Sequence, residues 1–405
     1  MQQAPCSSLG QAIRRAEAAE LAAALRASRD DTLRLLSAYQ AALPDLHVPM
    51  SPEVNPPLWE LGHIGWFQDW WLSRFSARDR GAAADPDAPR SAPRRAQADA
   101  LYDSSRVPHD SRWALPLPGL QETKDELAGQ LQRNLALLAQ AGDSDDALYF
   151  YRLALLHEDM HHEAALYTAQ ALDVAVDDAR WQPPALPDPA AELALPAGPW
   201  RLGLHGPGFA FDNELSAHDV ELPASRIDAQ ACRWAEFLPF VAAGGYTQPR
   251  WWTAEGWRWR EQQASARPRY LRQQQGRWQR RQGGDWRALD PAQPACHLSA
   301  HEALAWCRWA GRRLPGEAEW ERAALTEPSR FHWGAVWEWT ASPFTAYPGF
   351  VAHPYRDYSQ PWFGDRPVLR GASFGTQPRM KHPRYRNYFI AGRNDIFAGF
   401  RSCAL

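Results

Sequence analysis

The chain has 405 residues, 45% of them hydrophobic and 22% charged, with a formal net charge of −3. That length exceeds one small core and argues for two domains, while the charge balance excludes the strongly basic surface that a nucleic-acid or polyanion partner would need. The 21 Trp residues fit deep cores or aromatic-lined pockets, because each ring brings a large apolar face and a single donor.

The N-terminal stretch MQQAPCSSLGQAIRRAEAAELAAAL lacks a basic start followed by an apolar run, so it does not read as a secretory signal. No apolar run reaches the length of about eighteen residues that a membrane span requires. The five cysteines, Cys6, Cys232, Cys296, Cys307 and Cys403, are odd in number, widely spaced and free of any C-x-x-C pair. This pattern opposes a disulfide scaffold or a cysteine-rich zinc site and predicts reduced thiols in a cytoplasmic protein.

Taken in chain order, residues 17–42 are rich in Ala and Leu, with apolar positions three and four apart, and predict a helix. Residues 57–76 predict a second helix that opens on Pro57, a residue well suited to a first helical turn. The Pro-, Ala- and Arg-rich stretch 81–98 breaks the pattern and reads as a mobile loop. Residues 120–141 and 146–172 carry two more helical patterns, and four long helices predict an antiparallel bundle over residues 1–180. Residues 181–199 are proline-rich and read as an interdomain linker. From residue 200 to 405, short apolar runs among frequent Gly, Trp and Pro predict a compact domain of short strands, loops and a few helices, so the fold class is α+β. One of those helices covers 299–310, with Ser299 as its N-cap and Glu302 closing a capping box. The basic segment 267–287 with interleaved aromatics could bind nucleic acid, but in an acidic chain it reads as an exposed hairpin with solvated arginines.

The chemistry concentrates in HEDMHHE, residues 157–163. On a helix His157 and His161 share one face and can chelate one ion, whereas His162 points about a quarter-turn away. The string also satisfies H-E-x-x-H, in which a zinc peptidase would use two imidazoles as ligands and Glu158 as general base. A further histidine, His63, lies in the apolar helical stretch LWELGHIGWF; alone it would read as a core residue, but beside a chelating pair it becomes a third ligand. Three imidazoles leave open positions on an iron ion, and Glu158 or Glu163 could orient a ligand from behind.

The runs PPLWELGHIGWFQDWWL and LLHEDMHHEAALY resemble the iron-binding helices of the ergothioneine-type sulfoxide synthases. FDNE (211–214), GGYTQPRWWTAEGW (244–257), RRLPGEAEWERAA (312–324), VWEWTASPF (336–344) and VLRGASFGT (368–376) resemble the second domain of the same enzymes. The resemblance implies a DinB-like four-helix bundle followed by a formylglycine-generating-enzyme-like, C-type-lectin-related domain. It also implies Fe(II) on His63, His157 and His161, O2 as cosubstrate, and hercynine as one substrate. Tyr355 or Tyr358 of PYRDYS matches a proton-donating tyrosine of the relatives. In RNYFIAGRNDIFAGFR, Asn387 matches a hercynine contact, Tyr388 stands where a Trp is usual and keeps an aromatic face for the quaternary ammonium, and Arg393 matches the arginine that grips the donor's carboxylate. Phe389 replaces an Asp that holds the amino-acid part of a γ-glutamylcysteine donor, and Met160 stands where a Gln often contacts hercynine. These departures point to the selenoneine-synthase branch, which couples hercynine to the selenosugar 1-seleno-β-D-glucose. An ergothioneine enzyme using cysteine or γ-glutamylcysteine is the alternative, and a zinc metallopeptidase, a DinB-type thiol transferase or a non-catalytic sugar binder are more distant ones. The oligomeric state is left open.

Overall fold

The computed structural model describes residues 6–405. Its first half is helical: α1 (Cys6–Ile13), α2 (Ala18–Ala42), α3 (Pro57–Gln68), α4 (Ala98–Tyr102), α5 (Leu120–Leu138) and α6 (Asp145–Ala171). α2, α3, α5 and α6 form the expected bundle. Local signals start these helices. Pro57 sits in the first turn of α3, Glu17 and Glu20 form a capping box at α2, and the Ser144 hydroxyl accepts the Ala147 N–H at the head of α6. α2 turns Leu21, Leu25, Leu35, Leu36 and Tyr39 inward. α6 differs: Leu148, Phe150, Leu153, Leu156, Glu158, Asp159 and Glu163 are all buried, on every side of the helix. Bundle helices cover part of its circumference and the second domain covers the rest.

The second half holds short strands and four helices. In chain order these are β1 (Leu193–Leu195), β2 (Gly198–Leu202), β3 (His218–Leu222), β4 (Ser225–Ile227), α7 (Trp234–Ala242), α8 (Ala254–Gln262), β5 (Leu271–Gln274), β6 (Arg277–Gln282), β7 (Asp285–Ala288), α9 (Ala300–Ala310), β8 (Arg312–Arg313), α10 (Glu317–Thr326), β9 (Trp337–Pro343), β10 (Pro367–Arg370), β11 (Asn387–Tyr388), β12 (Ala398–Gly399) and β13 (Cys403–Ala404). They form sheets of order β1-β4-β13-β8 and β11-β10-β9-β12, a β2-β3 ribbon and a β5-β6-β7 meander. α9 carries the capping box of Ser299 and Glu302.

Two expectations change. Part of the proline-rich stretch 181–199 is structured: Leu193 and Leu195 are buried and β1 pairs with β4, so a strand occupies what composition read as linker. The loop 81–98 is pinned, because the Arg90 guanidinium lies 4.1 Å from the Trp70 ring centroid and 4.3 Å from that of Phe75. The basic segment does form antiparallel strands, β5–β7, but they lean on the bundle: Arg281 pairs with Asp173 and its carbonyl accepts from Gln170 at 3.0 Å. Among the described residues no helix is long and apolar enough to cross a membrane.

Candidate metal centre

His63 on α3 and His157 and His161 on α6 meet where the two helices pack. One nitrogen from each lies within 4.8 Å of the others, and the Nε2 atoms of His157 and His161 are 3.2 Å apart. Two nitrogens bound at about 2.1 Å to one ion are separated by roughly 3.0 Å at a right angle and roughly 3.4 Å at a tetrahedral one, so 3.2 Å is the spacing of neighbouring ligands on one metal.

The flanking contacts orient the rings. His63 Nδ1 donates to the Tyr102 carbonyl at 2.8 Å, which leaves its Nε2 lone pair facing the other imidazoles. Tyr102 comes this close because Gly62 leaves room: a Cβ there would fall 2.2 Å from the tyrosine ring. His161 Nδ1 donates to Glu60 Oε2 at 2.5 Å, an arrangement that fixes a metal-binding tautomer. His157 has no partner on Nδ1 and is held by stacking, its ring parallel to Phe67 at 3.5 Å between centroids. Trp59 stacks on His63 at 4.9 Å. Burial, with the neighbouring His161 adding to it, lowers His63 to a pKa of about 3 and holds His157 well below its ordinary value. Both rings are therefore neutral at physiological pH. Burial alone would raise Glu60, but His161, His63 and the Asn55 amide outweigh it and bring it to about 2. Three imidazole donors on one side, braced by a carboxylate, suit a divalent metal that keeps coordination positions open.

Beside His161 lies a cavity of about 200 Å³ lined by Met160, Glu163, Tyr167, Trp337, Asn387 and Phe389, among others. α6 supplies one wall and β9 and β11 the other, so the pocket exists only where the two domains meet.

Residues 24–165 match the DinB superfamily and residues 180–335 the sulfatase-modifying factor enzyme 1-like domain. The hercynine oxygenase of Mycolicibacterium smegmatis is 31% identical over 94% of this chain and 97% of its own length. That of Mycobacterium tuberculosis is 32% identical over 94% and 98%. This chain belongs to the hercynine oxygenase family. A formylglycine-generating enzyme from Bos taurus is 32% identical over 36% of this chain and 43% of its own.

As a member of the hercynine oxygenase family the chain is an oxidoreductase, and both expected domains are present. The other predicted site residues take up different positions around the triad. Met160, Asn387 and Phe389 line the cavity next to His161. Tyr355 lies over the other side of the triad, its ring 6.3 Å from that of His157 and 5.0 Å from that of Phe67. Tyr358 stands one step further out: its hydroxyl is 3.1 Å from that of Tyr385, which donates to Met160 Sδ at 3.4 Å. Tyr388 turns to the opposite face of β11 from its neighbours Asn387 and Phe389, as strand alternation requires, and stacks on Phe344 at 3.9 Å. Arg393 does not present a free guanidinium: it binds Asp395 through Nε at 2.5 Å and Nη2 at 2.6 Å.

Neither carboxylate that the sequence offered as a ligand orienter does that work. Glu158 is fully buried and bound by Arg29, Thr32 and Gln68, which also removes it from the general-base role that a peptidase would need. Glu163 accepts from Trp337 at 2.9 Å, from Thr376 at 2.7 Å and from Ser373, joining α6 to the second domain. The orienter is Glu60, three residues before His63 and therefore on the same side of α3. No local pattern signals this pairing, because Glu60 on α3 braces a histidine of α6 that lies 101 positions away in the chain. His162 stays outside the triad, with its ring packed on Trp181 at 4.8 Å.

Proposed function

We propose that the chain is an iron-dependent hercynine oxygenase, which uses O2 to form a carbon–chalcogen bond at the imidazole carbon of hercynine that lies between the two ring nitrogens. The convergence of one nitrogen from each of the three imidazoles carries this reading, together with the near full-length likeness to hercynine oxygenases. Fe(II) held by His63, His157 and His161 would supply the redox chemistry that activates O2 at the sulfur or selenium of the donor.

The protein's own residues define the rest. Hercynine fits the cavity beside His161, where Phe389, Tyr167 and Trp337 offer aromatic faces to a quaternary ammonium and the Asn387 side chain can bind polar atoms. Tyr355 is the nearer tyrosine to the triad. Burial raises its pKa, which keeps the phenol protonated and able to give a proton to an oxygen atom formed beside it.

The family likeness supports a thiol donor, cysteine or γ-glutamylcysteine. One observation favours the selenosugar instead: Asp395 already neutralises Arg393, and Phe389 lies 5.1 Å from that guanidinium. A donor carboxylate would have to displace an internal ion pair, whereas a neutral sugar would meet an aromatic face. Mass spectrometry of aerobic reactions containing Fe(II), hercynine and, in turn, cysteine, γ-glutamylcysteine or 1-seleno-β-D-glucose tests both levels. Product from any donor, lost in His63→Ala, is expected, and Tyr355→Phe should slow turnover about 100-fold. No product from any donor overturns the hercynine reading, and product from thiols alone removes the selenium one.

A further inference from the structure

The basic meander holds a feature that the metal chemistry does not use. Strand alternation places Leu271, Arg280 and Arg287 in one row on one face, with Leu271 opposite Arg280 and Arg280 opposite Arg287. Like charges directly across a ladder repel, and the ordinary remedy is a carboxylate between them. Arg280 has none within ion-pair distance among the described residues; its Nη2 donates to the neutral Gln282 at 2.9 Å. Arg287 reaches Asp285 at 3.7 Å, where both side chains face solvent. Burial lowers the pKa of Arg280 and Arg287 pushes in the same direction, against opposing contributions from Cys296 and from the more distant Asp290, which lies beyond ion-pair reach. A partly buried guanidinium held against a second one, with no carboxylate in ion-pair contact among the described residues, is costly unless something fills the gap.

The gap is a cleft of about 630 Å³ between the domains, lined by Arg280 and Arg287 on one side and by Gln170 and Trp181 from the bundle side. Its two carboxylates are Asp177, which is exposed, and Asp178, which Arg180 engages at 2.7 Å. We propose that this cleft binds a small oxyanion, a phosphate or carboxylate group seated between Arg280 and Arg287. Guanidinium forks present paired donors that match two oxygens of such a group, and the anion would relieve the repulsion across the ladder. The site also touches the substrate cavity. His297 in the cleft packs on Phe397 at 5.5 Å, and Phe397 lines both spaces.

Calorimetric titration of the full chain with sodium phosphate, and separately with sodium succinate, at constant ionic strength tests this. Saturable binding is expected for at least one, weakened about tenfold or more in Arg280→Gln and in Arg287→Gln, with thermal melts reporting whether each variant folds. Phosphate alone would identify a phosphorylated ligand, and succinate alone a carboxylate. Arg287 is exposed, so its variant keeps the test decisive if Arg280→Gln fails to fold. Absence of saturable heat with both anions, or binding unchanged in the folded variants, overturns the proposal.

Discussion

At the scale of single residues, the candidate metal site depends on hydrogen bonds from behind as much as on the three imidazoles themselves. His161 and Glu60 are 101 positions apart in the chain, so no local pattern links them, whereas His157 and His161 announce themselves by one turn of helix. Substituting Glu60→Gln keeps an acceptor for His161 Nδ1 but removes the charge that strengthens the imidazole as a donor. Metal affinity should fall about 10-fold to 100-fold, read by chelator competition, while the melting temperature of the metal-free protein changes little. His157, held by the Phe67 ring instead of a hydrogen bond, is the imidazole of the triad whose orientation depends on packing. Glu158 makes the reverse point. Its motif suggested catalysis, yet Arg29 and its neighbours hold it inside the bundle.

At the scale of elements, α3 works because of what it lacks. Gly62 admits the Tyr102 ring, and Tyr102 in turn supplies the carbonyl that holds His63. Gly62→Ala raises helix propensity but must move α4 away from α3. The expected outcome is a stability loss of about 1–3 kcal/mol in denaturant titration, together with weakened metal binding. The strap after α3 is held by Arg90 over Trp70 and Phe75, so Arg90→Ala should increase proteolytic cleavage within residues 81–98 and leave the helical circular dichroism intact. Composition made that strap look mobile because proline and alanine hide the arginines that anchor it, Arg90 on the rings of Trp70 and Phe75 and Arg95 on Glu122 and Glu126. Composition likewise hid β1, since a three-residue strand in a proline-rich stretch has too few positions to show a period.

At the scale of the whole molecule, the two domains are joined by buried polar contacts. Glu163 takes donors from Trp337, Ser373 and Thr376, and Asp159 pairs with Arg379. Burial also stores a pH dependence. Burial is the largest influence on His63, His162, His297 and His353, whose pKa values fall to about 3, 4, 3 and 4 from 6.5. The unfolded chain takes up protons as pH drops through about 6.5, while the folded chain resists them until about 3–4. The stability held by these neutral rings is thus complete above about 6.5 and is lost progressively as pH falls below it. Melting curves of metal-free protein from pH 7.5 to 5 should show a falling midpoint; a flat profile would contradict the burial of these rings.

The sequence alone determined the two-domain α+β order, the four long helices and the candidate triad, because capping, helical period and i,i+4 spacing are local and survive without tertiary contacts. Only the tertiary structure decided which carboxylate braces His161, that Tyr388 turns away from Asn387 and Phe389, that Arg393 is neutralised by Asp395, and that Arg280 faces Arg287 across an interdomain cleft. Each of those outcomes depends on register, on burial or on the approach of residues far apart in the chain, and these are settled by packing after the helices and strands have formed.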